Sequence, residues 1–267
     1  KIDITQDINP NDDHDAETII DHSLINYDPD GNNTMKTIID TKDGDDTIII
    51  KEGVNFRSGI YDLKKDANDV IKMGDGDDVF NIEKDADVSS TKIDMGDAGK
   101  NNQDTVNIDS ATIVDTRITS HNGNDVFTIK ENSYFDNVLL RTGDGNDTVN
   151  FEKDSSIKNT KIDTGSGDDV VNIKTDVWAF ADNGGTTNET EYAGSRTDSF
   201  IKTGEGEDTI NVTGASIRRV DIDTGDSDTG DMLNFISAGI YDSEIKSGNG
   251  NDKFVLENTE VNIVDIY

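Results

Sequence analysis

Short alternating stretches of apolar and polar residues recur along the chain, each opened by an aspartate. The second and fourth positions after that aspartate are Phe80/Ile82, Val106/Ile108, Phe127/Ile129, Val149/Phe151, Val171/Ile173, Ile210/Val212, Leu233/Phe235 and Phe254/Leu256. A period of two predicts a β-strand with one buried face. Ahead of each aspartate lies a second apolar pattern with a small residue or threonine in its middle: Val88/Thr91/Ile93, Ile113/Thr116/Ile118, Ile157/Thr160/Ile162, Ile217/Val220/Ile222 and Ile240/Ser243/Ile245. This predicts a second strand, so two short strands and two turns make one unit.

The units repeat. The opening aspartates are Asp46, Asp78, Asp104, Asp125, Asp147, Asp169, Asp208, Asp231 and Asp252, and most steps between them fall between 21 and 26 residues. Self-similarity at a fixed period of this size defines a solenoid, because one unit cannot bury its apolar face without a neighbour stacked on it. The expected fold is all-β, a parallel β-solenoid of the β-helix or β-roll kind, with strands of successive coils about 4.8 Å apart. Residues 1–39 read as degenerate first coils. Residues 40–267 read as the solenoid, with insertions near 51–68 and 175–197.

Composition agrees with a core one ladder wide. Hydrophobic residues are 31% and aromatic residues 6% of 267 residues, thin for a two-layer domain of that length. The net charge of −33 would by itself favour disorder, but a disordered chain has no reason to keep apolar positions in register over nine repeats. The same charge argues against nucleic acid as a partner, since phosphate binding needs the opposite sign. There is no cysteine and no apolar run of membrane-spanning length. The chain begins at Lys1, which together with an apolar pattern restarting at Val261 suggests a fragment of a longer repeat protein whose export signals lie elsewhere.

Glycines dominate the turns. Met73-Gly-Asp-Gly-Asp-Asp78, Thr142-Gly-Asp-Gly-Asn-Asp147, Thr164-Gly-Ser-Gly-Asp-Asp169, Thr203-Gly-Glu-Gly-Glu-Asp208 and Ser247-Gly-Asn-Gly-Asn-Asp252 carry two glycines each. Asp46 and Asp125 keep only the second, and the turns before Asp104 and Asp231 are longer. Stacked coils bring the aspartates into a column, where like charges about 4.8 Å apart repel by roughly 1 kcal/mol in water and by several near a protein surface. Lys42 and Lys100 are too irregular to neutralise every level. Carboxylate and carbonyl oxygens suit calcium.

These turns resemble the repeat-in-toxin, or hemolysin-type, calcium-binding β-rolls, whose nonapeptide is Gly-Gly-x-Gly-x-Asp-x-apolar-x. The resemblance covers Asp40 to Ile266 loosely and five turns closely. It implies Ca2+ shared between turn oxygens of neighbouring coils, held at Asp78, Asp147, Asp169, Asp208 and Asp252, with Asp46, Asp125 and Asp231 as further members of the column. The family has two such turns per shorter coil; here one side of the coil carries the motif, so one calcium column is implied. A β-helix of the same pattern without metal remains the other reading.

Other candidates are weaker. Asn26-x-Asp28-x-Asp30-Gly31 resembles the front of an EF-hand loop but has Thr37 where the bidentate glutamate belongs, so it reads as a solvated turn. Asp226, Asp228 and Asp231 offer either an extra ion site or an Asx-rich turn. The insertion after Asp169 holds Trp178, Phe180 and Tyr192, a contact for a partner or a cover for the solenoid flank. Asn81, Asn107, Asn150, Asn172, Asn211 and Asn234 predict an outward hydrogen-bonding stack. His14, His22 and His121 lack nucleophile or ligand partners at a telling spacing. The function expected is therefore structural rather than enzymatic: a calcium-binding module of a large secreted or cell-surface bacterial protein, a surface-layer or adhesin scaffold. It would bind calcium ions and either self-associate or meet a cell-surface or carbohydrate partner. The alternative is a β-helical carbohydrate-acting enzyme of the lyase or epimerase type, or its accessory module.

Overall fold

The computed structural model describes residues 3–4, 17–20, 24–26, 37–58, 69–96, 102–179 and 199–266. The described residues are all-β, and every strand pair is parallel, each strand lying on its counterpart in the next coil. This is the stacked β-solenoid that the repeats predict. The strands that follow the aspartates form one ten-stranded sheet, running through Val79–Ile82, Thr105–Ile108, Val126–Ile129, Thr148–Phe151 and Val170–Ile173. β-branched and aromatic residues fill these strands, as a pleated, half-buried surface favours.

Each coil differs from the sequence expectation in one respect: it has three strands and three turns. The second predicted strand is broken at a corner into two, such as Asp87–Ser89 and Thr91–Asp94, or Thr112–Val114 and Arg117–Thr119. The corner residue adopts a left-handed backbone at Ser90, Asp115, Asn137, Asn159, Arg219 and Asp242, with φ between 46° and 57°. Most are Asn, Asp or Ser, which tolerate that region better than other non-glycine residues. Near the C-terminal end the strands continue across the corner, and Gly239–Lys246 and Glu260–Ile266 each run through both columns. They join the two columns into one 19-stranded sheet.

Four apolar ladders face inward. Phe80, Val106, Phe127, Val149, Val171 and Ile210 form one, and Ile71, Ile93, Ile118, Leu140, Ile162 and Ile201 another across the core; all are buried. Phe135 and Phe151 meet edge to face from different sheets, with ring centres 6.3 Å apart. At the last coil the ladder positions Leu256, Val261 and Ile266 are exposed. On the outside of the ten-stranded sheet the predicted asparagine stack is present: Asn107 donates to Asn81 at 3.0 Å, and Asn172 to Asn150, Asn211 to Asn172 and Asn234 to Asn211, each at 2.8 Å.

Part of each expected insertion is ordinary coil. Asn55–Ser58 is a strand paired with Asp87–Ser89, and Val177–Trp178 is a strand between Ser156–Lys158 and Ser216–Arg218. Trp178 therefore belongs to a sheet, whereas Phe180 and Tyr192 lie outside the described residues. So do His14, His22, Lys100 and most of the segment between Asn26 and Thr37.

Candidate metal column

The glycines of the turn are explained by the distance between coils. A Cβ on Gly165 would lie 1.9 Å from the Gly143 carbonyl oxygen, and one on Gly145 1.4 Å from that of Gly123. Each carbonyl thus aims along the solenoid axis at the glycine Cα of the next coil, rather than inward. Gly165 also has φ +100°, a backbone that side chains rarely adopt.

The aspartate that ends the turn points into the solenoid. Asp46, Asp78, Asp125, Asp147, Asp169, Asp208 and Asp231 are 0–2% exposed, and Asp252, in the last coil, is half-buried. Asp104, which was not among the expected calcium ligands, occupies the same position at 1% exposure. The strand register of Val106 and Ile108 with Phe80 and Ile82 was the signal that placed it there.

One bond repeats along this column. The backbone N–H of each aspartate donates to Oδ1 of the aspartate one coil later: Asp46 to Asp78 at 2.8 Å, Asp78 to Asp104 at 2.9 Å, Asp104 to Asp125 at 2.8 Å and Asp125 to Asp147 at 2.7 Å. The chain continues from Asp147 to Asp169, Asp208, Asp231 and Asp252, all within 3.0 Å. A second column on the exposed rim runs the opposite way, since the N–H of Asp77 donates to Asp45 and that of Asp168 to Asn146. Carboxylates and amides therefore satisfy the backbone donors of the turn.

The other carboxylate oxygen is left over. Oδ2 of Asp78, Asp104, Asp125, Asp147, Asp169, Asp208 and Asp231 is buried without a hydrogen-bond partner. Ser120, Thr142, Thr164, Thr203 and Thr224 lie against Asp125, Asp147, Asp169, Asp208 and Asp231 and draw each pKa down somewhat, but the first four donate their hydroxyl hydrogen to a carbonyl of the next coil, at 3.1 Å for Ser120, 3.0 Å for Thr142 and 3.4 Å for Thr164 and Thr203. Burial dominates: it pushes Asp78 up to about 7, Asp104 and Asp169 to about 8, and Asp147 and Asp208 to about 6, with neighbouring carboxylates adding to the rise. Asp125 and Asp231 are raised for the same reason. Met73 and Met95 precede the turns of Asp78 and Asp104, where later coils place Ser or Thr, so no hydroxyl lies beside these two carboxylates.

The donor chemistry fits calcium in kind: hard oxygens, buried, one orphan per level. It is sparse in number. No three His, Cys, Asp or Glu side chains converge on a point among the described residues, and Oδ1 is already committed to an amide. An ion in the column would be held by Oδ2 of successive aspartates.

The long turn at Asp226 is stabilised by a bond of its own and by one to the next coil. Ser227 Oγ accepts the N–H of Gly230 at 2.9 Å, and Asp226 Oδ1 accepts that of Asn249 at 3.0 Å. With Asp168, Glu205, Glu207 and Asp228 it lines an open acidic basin of about 680 Å³. No family model, curated protein or solved structure matches the chain.

Proposed function

We propose that the chain is a calcium-binding structural repeat module, the rod of a secreted or cell-surface bacterial protein of the surface-layer or adhesin kind. The observation that carries the reading is the row of buried Oδ2 atoms at coil spacing. An ionised carboxylate buried without a partner is too costly to leave uncompensated. Burial leaves two means of neutralising it, a proton or a cation, and calcium-rich surroundings favour the cation. Bound at one hundred times its dissociation constant, an ion contributes about 2.7 kcal/mol per site, so several sites would set whether this highly charged chain is folded. The residues that would hold it are Asp78, Asp104, Asp125, Asp147, Asp169, Asp208 and Asp231. Each bridges two coils through Oδ1, and Oδ2 would be the oxygen it offers the ion, so their roles would be positioning and charge balance rather than chemistry on a substrate.

The test is thermal melting and far-ultraviolet circular dichroism at pH 8 in chelator, in calcium and in magnesium. A calcium-specific rise in melting temperature supports the reading. A melt that calcium leaves unchanged, but that rises on acidification, assigns the column to protons and removes calcium from the proposal.

A further inference from the structure

A second row of chemistry lies on the outer face of the 19-stranded sheet, away from the glycine turns. Lys158, Trp178, Arg218 and Tyr241 stand at the same register position in four successive coils. Tyr134 is one coil earlier and two residues along its strand. The Lys158 ammonium sits 4.7 Å from the centre of the Tyr134 ring and 4.9 Å from that of Trp178; the Arg218 guanidinium is 4.8 Å from the Tyr241 ring. Around the corner the Phe200 ring lies 5.1 Å from Lys202 and 5.7 Å from Lys161.

Two features bear on what this row can bind. In a chain with 57 acidic residues, Lys158 and Arg218 make no ion pair among the described residues, whereas Lys153 and Arg219 nearby each meet a carboxylate. The acids that flank the row are committed elsewhere. Asp136 accepts from the Tyr134 hydroxyl and from Asn159 Nδ2, Asp176 from the Ser216 N–H, and Glu260 from the Tyr241 hydroxyl. The order is also regular, since rings and cations alternate coil by coil. Trp178 and Tyr241 are two coils apart, and so are Lys158 and Arg218, a repeat of about 9.6 Å.

We infer that this row is a binding strip for a linear acidic polysaccharide lying along the solenoid axis. An extended pyranose is about as long as one coil step, so a disaccharide with one acidic group spans two. Sugar rings would then stack on Trp178 and Tyr241 while successive carboxylates or sulfates meet Lys158 and Arg218. Cations held over aromatic faces keep their charge available to an anion, and charge complementarity selects an acidic glycan over a neutral one. The strip is independent of whether the aspartate column takes calcium.

Trp178 is the only tryptophan, so its fluorescence reports on the strip directly. The probe is hyaluronate, whose disaccharide bears one carboxylate, with dextran and single-stranded DNA as controls, all in calcium. Hyaluronate should shift the emission saturably and weaken with salt, and dextran should do neither. The double variant Lys158→Gln/Arg218→Gln should bind at least about tenfold more weakly by calorimetry at an unchanged melting temperature. Trp178→Phe, which keeps a ring, should retain calorimetric binding. The inference is overturned if hyaluronate does not bind, or if DNA or dextran binds as well. It also fails if binding survives the double variant, which would place the contact at calcium bridges elsewhere on the acidic surface.

Discussion

Replacing Asp147 by asparagine keeps the shape of the turn and removes one buried charge. The side-chain oxygen of the new amide can still accept the Asp125 N–H that Oδ1 accepts at 2.7 Å, and its nitrogen fills the place of the unpartnered Oδ2. Burial raises the Asp147 carboxyl from 3.8 to about 6, and a shift of roughly two units corresponds to about 3 kcal/mol of preference for the protonated form. The folded state thus binds the proton more tightly than the unfolded chain. Its benefit is complete below the unfolded value near 3.8 and is lost as pH rises through about 6. In chelator at pH 8 the ionised carboxylate opposes folding, and Asp147→Asn should stabilise the protein by up to about 3 kcal/mol, several degrees in melting temperature. Below pH 4 the gain should vanish. Calcium should raise the melting temperature of the parent more than that of the variant, which has lost a ligand. The reasoning is refuted if Asp147→Asn is no more stable than the parent at pH 8 in chelator, or if its gain does not depend on pH.

The remaining aspartates should give the metal-free protein an unusual pH profile. Melting in chelator should rise on acidification from pH 8 to 5, because Asp78, Asp104 and Asp169 reprotonate near 7 to 8; a melting temperature that falls over this range contradicts the assignment. Below pH 4, where the carboxyl is protonated and carries no charge to lose, Asp147→Ala, unlike the asparagine variant, should destabilise the protein by about 1 to 3 kcal/mol, since it strands the Asp125 N–H. Gly165→Ala should cost several kcal/mol, on the order of 3 or more, as φ +100° and the Gly143 carbonyl both oppose a Cβ; a melting temperature within a degree of the parent would show that the coils can separate locally. Phe151→Ala should lose about 3 to 5 kcal/mol by denaturant titration, because its ring is fully buried against Phe135.

Much of the fold was legible because each coil repeats the same solution. The pairs Phe80/Ile82 and Val106/Ile108 announce a strand and its register at once, and the structure pairs them as the repeat implies. The corner was not legible as a corner. Val88, Thr91 and Ile93 read as one strand because a left-handed residue at Ser90 turns the chain without a glycine or proline to mark it. The recurring Asn, Asp or Ser at that position was the available signal. For the site, the column of aspartates was visible in the spacing, but its inward direction was not. The alternation of Asp with Phe80 or Val106 places the carboxylate on the buried face, and a charged residue there is read as solvated by default. The row of Lys158, Trp178, Arg218 and Tyr241 was hidden for another reason. A 39-residue step from Asp169 to Asp208 removes the period that would have aligned Trp178 with its neighbours.

The bond from each aspartate amide to the next coil's carboxylate has a direction, and that makes the rod's length adjustable in whole units. Asp104, Asp125 and Asp147 make the same backbone bond, each N–H awaiting an Oδ1 supplied by the coil that follows. Excising the 22 residues that begin at Asp125 would bring Asp104 onto Asp147 with the same bond and the same register. Adding or removing a unit therefore changes reach without inventing a new interface, whereas a single residue gained or lost inside a strand, rather than in a turn, sends a carboxylate outward and an apolar side chain into its place. A gene encoding this fold can lengthen or shorten its product by unequal recombination, and selection is left to act on span.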